Sequence, residues 1–234
     1  MKDKKNVLIV GGTSGIGNQT AKYLVAQGYD VIISGRTQLI SDDLKYLYLD
    51  VCDEKSVQEL FLNIRSLDAI VYAAGITTKQ KNINEFDKDI FNNIMDVNVS
   101  GLLLCLKYSY KFLKESKGKV VVVNSLASRT YSQFSGVEYT ISKSALNGLV
   151  KQLAVEFAKD GVLINSVLPS MTATPMLVKN VDKKLLESIE AQIPLGRIAD
   201  PLEIAKAIEF LLSENNTYMT GSGLDINGGL YLNG

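Results

Sequence analysis

Short runs of β-branched and apolar residues recur along the chain, and each is bounded by glycine, aspartate, serine or proline. Apolar residues at successive positions are typical of strands that are covered on both faces. Segments of this kind are the predicted strands, at 6–12, 29–35, 45–51, 67–75, 118–125, 161–169 and 221–226.

Between these runs lie segments with helical periodicity. In one of them Ile141, Ala145 and Leu149 recur on one face, and Gly161 follows as a C-terminal cap. Strands that alternate with helices predict an α/β fold, a doubly wound parallel sheet of the Rossmann type flanked by helices. The predicted helices cover about 15–27, 54–65, 88–115, 138–159, 181–191 and 201–213.

Two stretches break the regular alternation. Only thirteen residues separate Arg36 from Asp50, so the crossover helix there is predicted to be lost or reduced to a turn. Residues 168–200 are irregular, with two prolines that bracket a polar helix, and we expect a substrate lid there. A solvated surface loop is the alternative reading of 168–200.

Composition narrows the functional classes. The 234 residues predict one domain over 1–234, and 25 Lys and Arg balance 25 Asp and Glu, so no net field favours nucleic acid or an anionic membrane. The apolar run near the N-terminus is four residues long, too short for a signal peptide, so we expect a cytoplasmic protein. Cys52 and Cys105 suggest neither a disulfide nor a metal site, and both are predicted to be buried.

The chain contains no histidine, which excludes serine–histidine and cysteine–histidine mechanisms. Proton transfer must then use tyrosine, lysine, a carboxylate, serine or water. Tyr139 and Lys143 stand four residues apart, on one face of a predicted helix. A neighbouring ammonium favours the phenolate, so we expect Lys143 to lower the pKa of Tyr139.

The same spacing occurs a second time, in Tyr110 and Lys114. Tyr139 begins a helix and follows, by fourteen residues, a strand that ends at Ser125; Tyr110 lies late in a helix with no such strand before it. The sequence therefore favours Tyr139 as the catalytic tyrosine. Ser128, eleven residues before Tyr139, competes with Ser125 for the serine's role.

A glycine-rich turn separates the first strand from the first helix, "VLIVGGTSGIGNQTA". Gly11, Gly15 and Gly17 allow a tight turn and the close approach of backbone N–H groups to a phosphate. The spacing Gly-x-x-x-Gly-x-Gly resembles the signature of the short-chain dehydrogenases/reductases. Further motifs arrive in that family's order: "LDV" at 49–51, "AAG" at 73–75, "DVNVSG" at 96–101, "VVVNSLAS" at 121–128 and "INSVLPS" at 164–170.

This resemblance covers the whole chain and implies both an activity and an assembly. The implied reaction reduces a ketone to a secondary alcohol, with Tyr139 as general acid, Ser125 on the substrate oxygen and Asn98 anchoring a water. By resemblance, Lys143 also holds the nicotinamide ribose. The closest type is the 3-oxoacyl-[acyl-carrier-protein] reductase. The helices at 88–115 and from 138 resemble the family's interface, so a homotetramer is expected, with a dimer as the alternative.

The end of the second strand bears on the choice of dinucleotide. Gly35 stands where NAD enzymes usually place an acid, and Arg36, which follows, can clamp a 2′-phosphate. NADP(H) is therefore predicted over NAD(H). The predicted dinucleotide contacts are Gly11, Thr13, Ser14, Gly15, Ile16, Gly17, Arg36, Asp50, Val51, Ala74, Gly75, Lys143, Pro169 and Thr172.

The chain also departs from the family pattern. Val10 and Tyr72 replace the usual threonine and asparagine, and Ser170 replaces the usual glycine after Pro169, where an added Cβ is expected to alter cofactor geometry. Two other functions stay open: an NAD-dependent dehydrogenase of a sugar, a diol or another secondary alcohol, and a non-catalytic dinucleotide-binding regulator.

Overall fold

A seven-stranded parallel sheet forms the centre of the computed structural model, which describes residues 4–38, 44–79, 82–175, 177 and 183–232. The strand order is β3-β2-β1-β4-β5-β6-β7, and every pairing is parallel. The predicted α/β fold is thus confirmed. The strands are β1 Asn6–Val10, β2 Asp30–Gly35, β3 Lys45–Tyr48, β4 Ala69–Tyr72, β5 Lys119–Val123, β6 Leu163–Pro169 and β7 Gly223–Ile226.

The described helices follow the predicted ones closely at most ends. The exception is the predicted helix over 88–115, which contains one π-helical turn, Asp96–Ser100, between two α-helical segments. The α-helices are α1 Gly15–Ala26, α2 Glu54–Leu62, α3 Lys88–Met95, α4 Gly101–Ser116, α5 Val137–Ala158, α6 Lys183–Glu190 and α7 Pro201–Leu212.

Successive residues of each strand point to opposite faces of the sheet, which explains the continuous apolar runs. In β1, Leu8 and Val10 pack into one core with α2, α4 and α5, while Val7 and Ile9 pack into a second core with α1 and α7. The strands are buried on both sides, so the cores hold the carboxyl edge of the sheet rigid. No helix in the described part of the chain is long and apolar enough to cross a membrane.

The strand order reverses between β1 and β4, which are neighbours in the sheet although β2 and β3 intervene in the chain. Val10 and Tyr72 are partners in this pair, so the turns that follow the two strands begin side by side. Open α/β sheets bind ligands in the crevice at such a switch point. The fold thus directs attention to the residues after Val10 and after Tyr72.

Three further sequence expectations concern the link after β2, the predicted lid and the cysteines. Nine residues, 36–44, link β2 to β3, and the predicted loss of a helix there falls partly on 39–43, outside the described residues. In the predicted lid, helix α6 is present, while 176 and 178–182 lie outside the description. The prediction that both cysteines are buried is wrong for Cys52: it follows Val51 in a surface turn and is exposed, whereas Cys105 is buried in the core.

Candidate functional site

The turn after β1 passes very close to the turn after β4. Gly11 has a φ of +80°, and a Cβ there would lie 2.5 Å from the backbone nitrogen of Ala74. Gly11 and Gly12 both donate their N–H groups to the carbonyl of Ser34, at 2.9 and 3.1 Å. Glycine is required at position 11, because any side chain would collide with the neighbouring backbone.

The same turn leads directly into α1, so the N-terminus of α1 lies at this crevice. A Cβ on Gly17 would lie 2.2 Å from the carbonyl oxygen of Gly11, so the helix packs directly on the turn. Ser14 is the N-cap, but its side chain makes no capping hydrogen bond. The first-turn N–H groups of residues 15–17 have no partner within the helix, as at any helix start, and they form an anion-binding end. This arrangement fits the phosphates of a dinucleotide.

Thr174 is a neighbour of this turn that the sequence did not predict. Its side-chain methyl lies 3.5 Å from the Cβ position of Gly15, whereas the hydroxyl of the predicted Thr172 donates to the carbonyl of Ser170 at 3.2 Å. Thr174 is thus the threonine that contacts the phosphate turn. The signal was available, since 174 is also a threonine in the short segment after Pro169, but spacing alone did not separate the two.

The end of β2 lies beside the glycine turn. The hydroxyl oxygen of Thr13 is 3.2 Å from the Cβ position of Gly35, and Arg36, the next residue, is exposed. An acidic side chain at position 35 would press against Thr13. Arg36 directly follows Gly35, so its exposed guanidinium supplies a positive charge at this corner of the crevice.

Asp50 and Val51 follow β3 on the same edge of the sheet. The carboxylate of Asp50 accepts a hydrogen bond from the N–H of Cys52 at 3.0 Å and so shapes its own turn. Val51 is buried, and its side chain packs against Gly101, where a Cβ would lie only 2.7 Å from it. The packing fixes the position of Val51, which the sequence predicted as a dinucleotide contact.

Asn98 lies in the π-helical turn between α3 and α4 and is fully buried. Its Oδ1 accepts from the N–H of Ile76 at 2.8 Å, and its Nδ2 donates to the carbonyl of Ile76 at 3.0 Å and to the hydroxyl of Ser142 at 2.9 Å. The asparagine thus ties the strand-end loop after β4 to α5. π-helical turns occur often at functional sites, because they re-aim one residue.

Lys143 is buried beside Asn98. Its Nζ donates to the carbonyl of Val123 at 3.0 Å, and a Cβ on Gly75 would lie 3.6 Å from Nζ and 3.5 Å from the Oδ1 of Asn98. Burial lowers the pKa of Lys143 from its ordinary value to about 8. The ammonium therefore exists at neutral pH but is easily discharged.

Tyr139 and Ser125 come together at the mouth of the crevice, where the serine hydroxyl is close enough to the phenol to act on its pKa. The Oγ of Ser125 accepts from the N–H of Ala127 at 3.1 Å, which leaves its own proton free to donate. The Nζ of Lys143 lies 5.7 Å from the centre of the Tyr139 ring. The predicted set of Asn98, Ser125, Tyr139 and Lys143 therefore meets at one edge of the sheet.

One electrostatic expectation is wrong. We expected the ammonium of Lys143 to lower the pKa of Tyr139, but burial raises the pKa of Tyr139 above its ordinary value, and only the hydrogen bond from Ser125 lowers it. The reason is desolvation, which disfavours the charged form of the phenol as well as that of Lys143. Tyr139 is consequently held as the neutral phenol at neutral pH.

The competing serine, Ser128, is engaged in the turn itself. Its hydroxyl donates to the carbonyl of Ser125 at 2.7 Å, and its own carbonyl accepts from Asn147. Ser125 is the serine that acts on the phenol of Tyr139. In the loop between the two, the hydroxyl of Ser132 accepts from the N–H groups of Phe134 and Ser135 at 3.3 and 3.0 Å.

The second Tyr-x-x-x-Lys pair has a structural partner. The hydroxyl of Tyr110 donates to Asp160 at 2.6 Å, and the Nζ of Lys114 lies 2.8 Å from the other oxygen of the same carboxylate. These contacts join α4 to the residues after α5, away from the glycine turn. Hydrogen bonding to Asp160 raises the pKa of Tyr110 to about 12.

Pro169 and Ser170 end β6 beside the crevice. The N–H of Ser170 donates to the carbonyl of Ile226 at 3.1 Å, and Ser170 does not adopt a positive φ. A glycine is therefore not needed at this position, and the backbone accommodates the serine. The effect on cofactor geometry that the sequence suggests for Ser170 stays a prediction.

Comparison with known proteins agrees with this geometry. A family model described as "Enoyl-(Acyl carrier protein) reductase" matches residues 10–231. An acetoacetyl-CoA reductase from Acinetobacter sp. is 32% identical, covering 99% of this chain and all of that protein. A 3-oxoacyl-[acyl-carrier-protein] reductase from Rickettsia typhi is 32% identical, with 97% of each chain covered.

A solved structure, ElxO with NADP bound, shares this fold along nearly its whole length. It is 34% identical, has a TM-score of 0.90, and the match covers 97% of this chain and 99% of that one. The glycine turn, the π turn and α5 all lie within the matched region of the family model. The matches extend over the whole site rather than over one motif.

Proposed function

Because the chain belongs to the short-chain dehydrogenase/reductase family, we propose that it reduces a ketone to a secondary alcohol with NADPH. Membership makes it an oxidoreductase that binds a nicotinamide dinucleotide and acts on a small molecule. One observation carries the finer proposal. The hydroxyl of Ser125 adjoins the phenol of Tyr139, with the Nζ of Lys143 5.7 Å from the ring centre, at the edge of the sheet where the glycine turn opens.

In this proposal Ser125 and Tyr139 share the substrate's carbonyl oxygen. Both hydroxyls can donate to it, and donors aimed at an oxygen that gains negative charge stabilise the transition state. Tyr139 then transfers its proton to the alkoxide. Its raised pKa keeps it protonated at neutral pH, which suits a proton donor in the reductive direction.

Lys143 and Asn98 assist the proton donor, Tyr139, without contacting the substrate oxygen in this proposal. The ammonium of Lys143 offsets the charge left on Tyr139 after proton transfer, because it lies within 5.7 Å of the ring centre. Asn98 holds the loop at Ile76 and, through Ser142, the first turns of α5. We assign it the anchoring of the relay that returns a proton to Tyr139.

The crevice fits a dinucleotide on its own geometry. The backbone at Gly11 and Gly17 leaves no room for side chains, and the start of α1 offers N–H groups to phosphate. The residues that would hold the cofactor are the turn 11–17, Thr174, Arg36, Val51 and Lys143. When bound, NADPH supplies the hydride.

Replacing Arg36 by aspartate tests the preference for NADPH. A carboxylate repels the 2′-phosphate that the guanidinium attracts, so the Kd for NADPH is expected to rise about 100-fold while that for NADH changes little. Arg65→Asp is the matched control, because Arg65 lies with Asn6 and Asp30 at the opposite edge of the sheet. Both constants come from fluorescence titration. An unchanged Kd for NADPH in Arg36→Asp would refute the preference.

The substrate class we favour is a 3-oxoacyl thioester. The names of the two relatives, acetoacetyl-CoA reductase and 3-oxoacyl-[acyl-carrier-protein] reductase, support it. The family model's description instead suggests reduction of an enoyl thioester. A panel of four compounds separates these activities. Acetoacetyl-CoA, crotonyl-CoA and a ketosteroid are assayed with NADPH, and an aldohexose is assayed with NAD to detect a sugar dehydrogenase. Dinucleotide binding without turnover of any compound would favour the regulatory alternative.

We further propose a homotetramer that packs through α5. Val137, Ile141 and Val155 are 45%, 42% and 71% exposed, and Val137 and Val155 are eighteen residues apart, which is five helical turns. All three lie on one exposed face of α5, and exposed apolar residues that share a face often mark interfaces. Cytoplasmic location stays a prediction from the sequence.

Light scattering checks the assembly directly. We expect four times the mass of one chain for the wild type, and a smaller mass for Ile141→Glu, which places a charge on this face. Asn98, Ser125, Tyr139 and Lys143 are unchanged in that variant. A wild-type mass of one chain would rule out any assembly through α5, and a mass of two would replace the tetramer by a dimer.

A further inference from the structure

Asn147 lies on α5 one turn beyond Lys143 and bonds the chain on both sides of Ser125. Its Nδ2 donates to the carbonyl of Ser128 at 3.0 Å, and its Oδ1 accepts from the Nδ2 of Asn124 at 2.9 Å. Asn124 immediately precedes Ser125, and Ser128 ends the 3₁₀ turn that follows it. A single side chain thus ties both flanks of Ser125 to α5.

The carbonyl of Ser128 sets the direction of this network. A carbonyl only accepts, so the amide nitrogen of Asn147 faces it, and the oxygen of Asn147 then faces the nitrogen of Asn124. The Oδ1 of Asn124 is left buried without a hydrogen-bond partner among the described groups, and the residue is 4% exposed. Such an atom destabilises the fold. Two apolar side chains would therefore serve stability better than this pair, which points to a geometric role.

We propose that Asn147 is a positioning residue, which holds the hydroxyl of Ser125 within hydrogen-bond reach of Tyr139; the inference rests on the proposed function. Tyr139 and Asn147 lie on the same continuous helix, eight residues apart. Fixing both flanks of Ser125 to Asn147 consequently fixes Ser125 relative to Tyr139. The 3₁₀ turn packs against α5, and this network adds directional hydrogen bonds to that packing, whereas the loop that joins the two elements, 129–136, is eight residues long.

The catalytic contribution of the Ser125 hydroxyl is sensitive to small displacements of Ser125. Its contribution depends on a distance of about 3 Å to the oxygen that gains charge. A misplacement of about 1 Å can lower a rate about 100-fold. Loss of Asn147 should therefore lower kcat, while the affinity for NADPH should change little, because the glycine turn 11–17 and Arg36 are not part of this network.

The test compares Asn147→Leu with the double variant Asn124→Leu/Asn147→Leu. In both we expect kcat for ketone reduction to fall about 10- to 100-fold, with the KM for NADPH unchanged within about twofold. Asn147→Leu leaves the Nδ2 as well as the Oδ1 of Asn124 without a partner, and the double variant removes both, so the double variant should have the higher melting temperature of the two. An equal loss of kcat in two variants of different stability separates positioning from folding.

Asn165→Leu is the matched control. Asn165 is 1% exposed and also bridges two backbone groups, since its Nδ2 donates to the carbonyl of Met219 at 2.7 Å and its Oδ1 accepts from Ser222 at 3.0 Å. It lies in β6, away from Ser125. We expect a lower melting temperature and an unchanged kcat per folded molecule. Equal losses of kcat in Asn165→Leu and Asn147→Leu would overturn the proposal.

A second readout does not depend on turnover. The NMR signal of the phenolic carbon of Tyr139, in protein labelled with ¹³C-tyrosine and assigned by its loss in Tyr139→Phe, reports the hydrogen bond from Ser125. We expect this signal to move in both Asn147 variants and to stay fixed in Asn165→Leu. If the wild type reduces no carbonyl compound, the proposed function fails. The NMR signal of Tyr139 then decides by itself whether Asn147 positions Ser125. An unmoved signal overturns the positioning role.

Discussion

Replacing Tyr139 by phenylalanine is expected to lower kcat for NADPH-dependent ketone reduction by about 10³-fold or more. The substitution removes the proton donor, and general acid catalysis contributes about 10²–10⁴-fold. The ring remains in place, so the Kd for NADPH should change little. Steady-state kinetics that follow NADPH absorbance, together with fluorescence titration of NADPH, measure the two effects.

Tyr110→Phe is the matched control for this variant. It removes the same hydroxyl from the other Tyr-x-x-x-Lys pair, where the hydroxyl donates to Asp160. We expect kcat to stay within about twofold of the wild type, with a loss of about 1 kcal/mol in the free energy of unfolding. Comparable losses of kcat in the two variants would remove the reason for assigning Tyr139 to catalysis.

Replacing Lys143 by methionine is expected to separate activity from stability. The wild-type pKa of about 8 lies below the ordinary lysine value, so burying the ammonium costs roughly 3 kcal/mol at neutral pH. Methionine has a similar length and no charge. We expect the variant to be at least as stable as the wild type at pH 7 and to lose about 10²–10³-fold in kcat.

The pH dependence gives a second check on Lys143. Its folded pKa is depressed, so between pH 8 and its ordinary value the unfolded chain binds more protons, and its contribution to stability rises with pH. Lys143→Met should lack this rise in denaturant unfolding at pH 7 and pH 10. In the wild type, kcat for reduction should fall above pH 8 as the ammonium is discharged. A variant that keeps both the rise and the wild-type kcat would contradict the assignment.

The sequence was most informative where burial and backbone geometry leave few choices. The strands were predictable because residues such as Val7 to Val10 are apolar in succession and face two cores. Gly11 and Gly17 were predictable because only glycine fits where two strand ends and a helix meet. The same sheet edge then collects Ser125 and Tyr139, as expected of residues near the carboxyl ends of parallel strands.

What the sequence missed depends on local packing. The π turn at Asn98 has the same helical composition as its flanks, so periodicity alone predicted one continuous helix. The raised pKa of Tyr139 follows from desolvation, which the Tyr-x-x-x-Lys spacing does not encode. Thr174 and Asn147 gain their importance from their proximity to Gly15 and to Ser128, respectively. In each case the neighbour is distant in sequence, so no local pattern indicates it.

Transfer of deuterium from NADPH to a carbonyl carbon tests the central proposal most directly. The enzyme is incubated with acetoacetyl-CoA and NADPH deuterated at C4, in parallel samples labelled on either face, and the product is analysed by mass spectrometry. We predict a 3-hydroxyacyl thioester that carries one deuterium at C3 from one of the two labelled cofactors, formed about 10³-fold more slowly with Tyr139→Phe. Label that enters crotonyl-CoA but no ketone, or label that enters no substrate of the panel, would contradict the proposal.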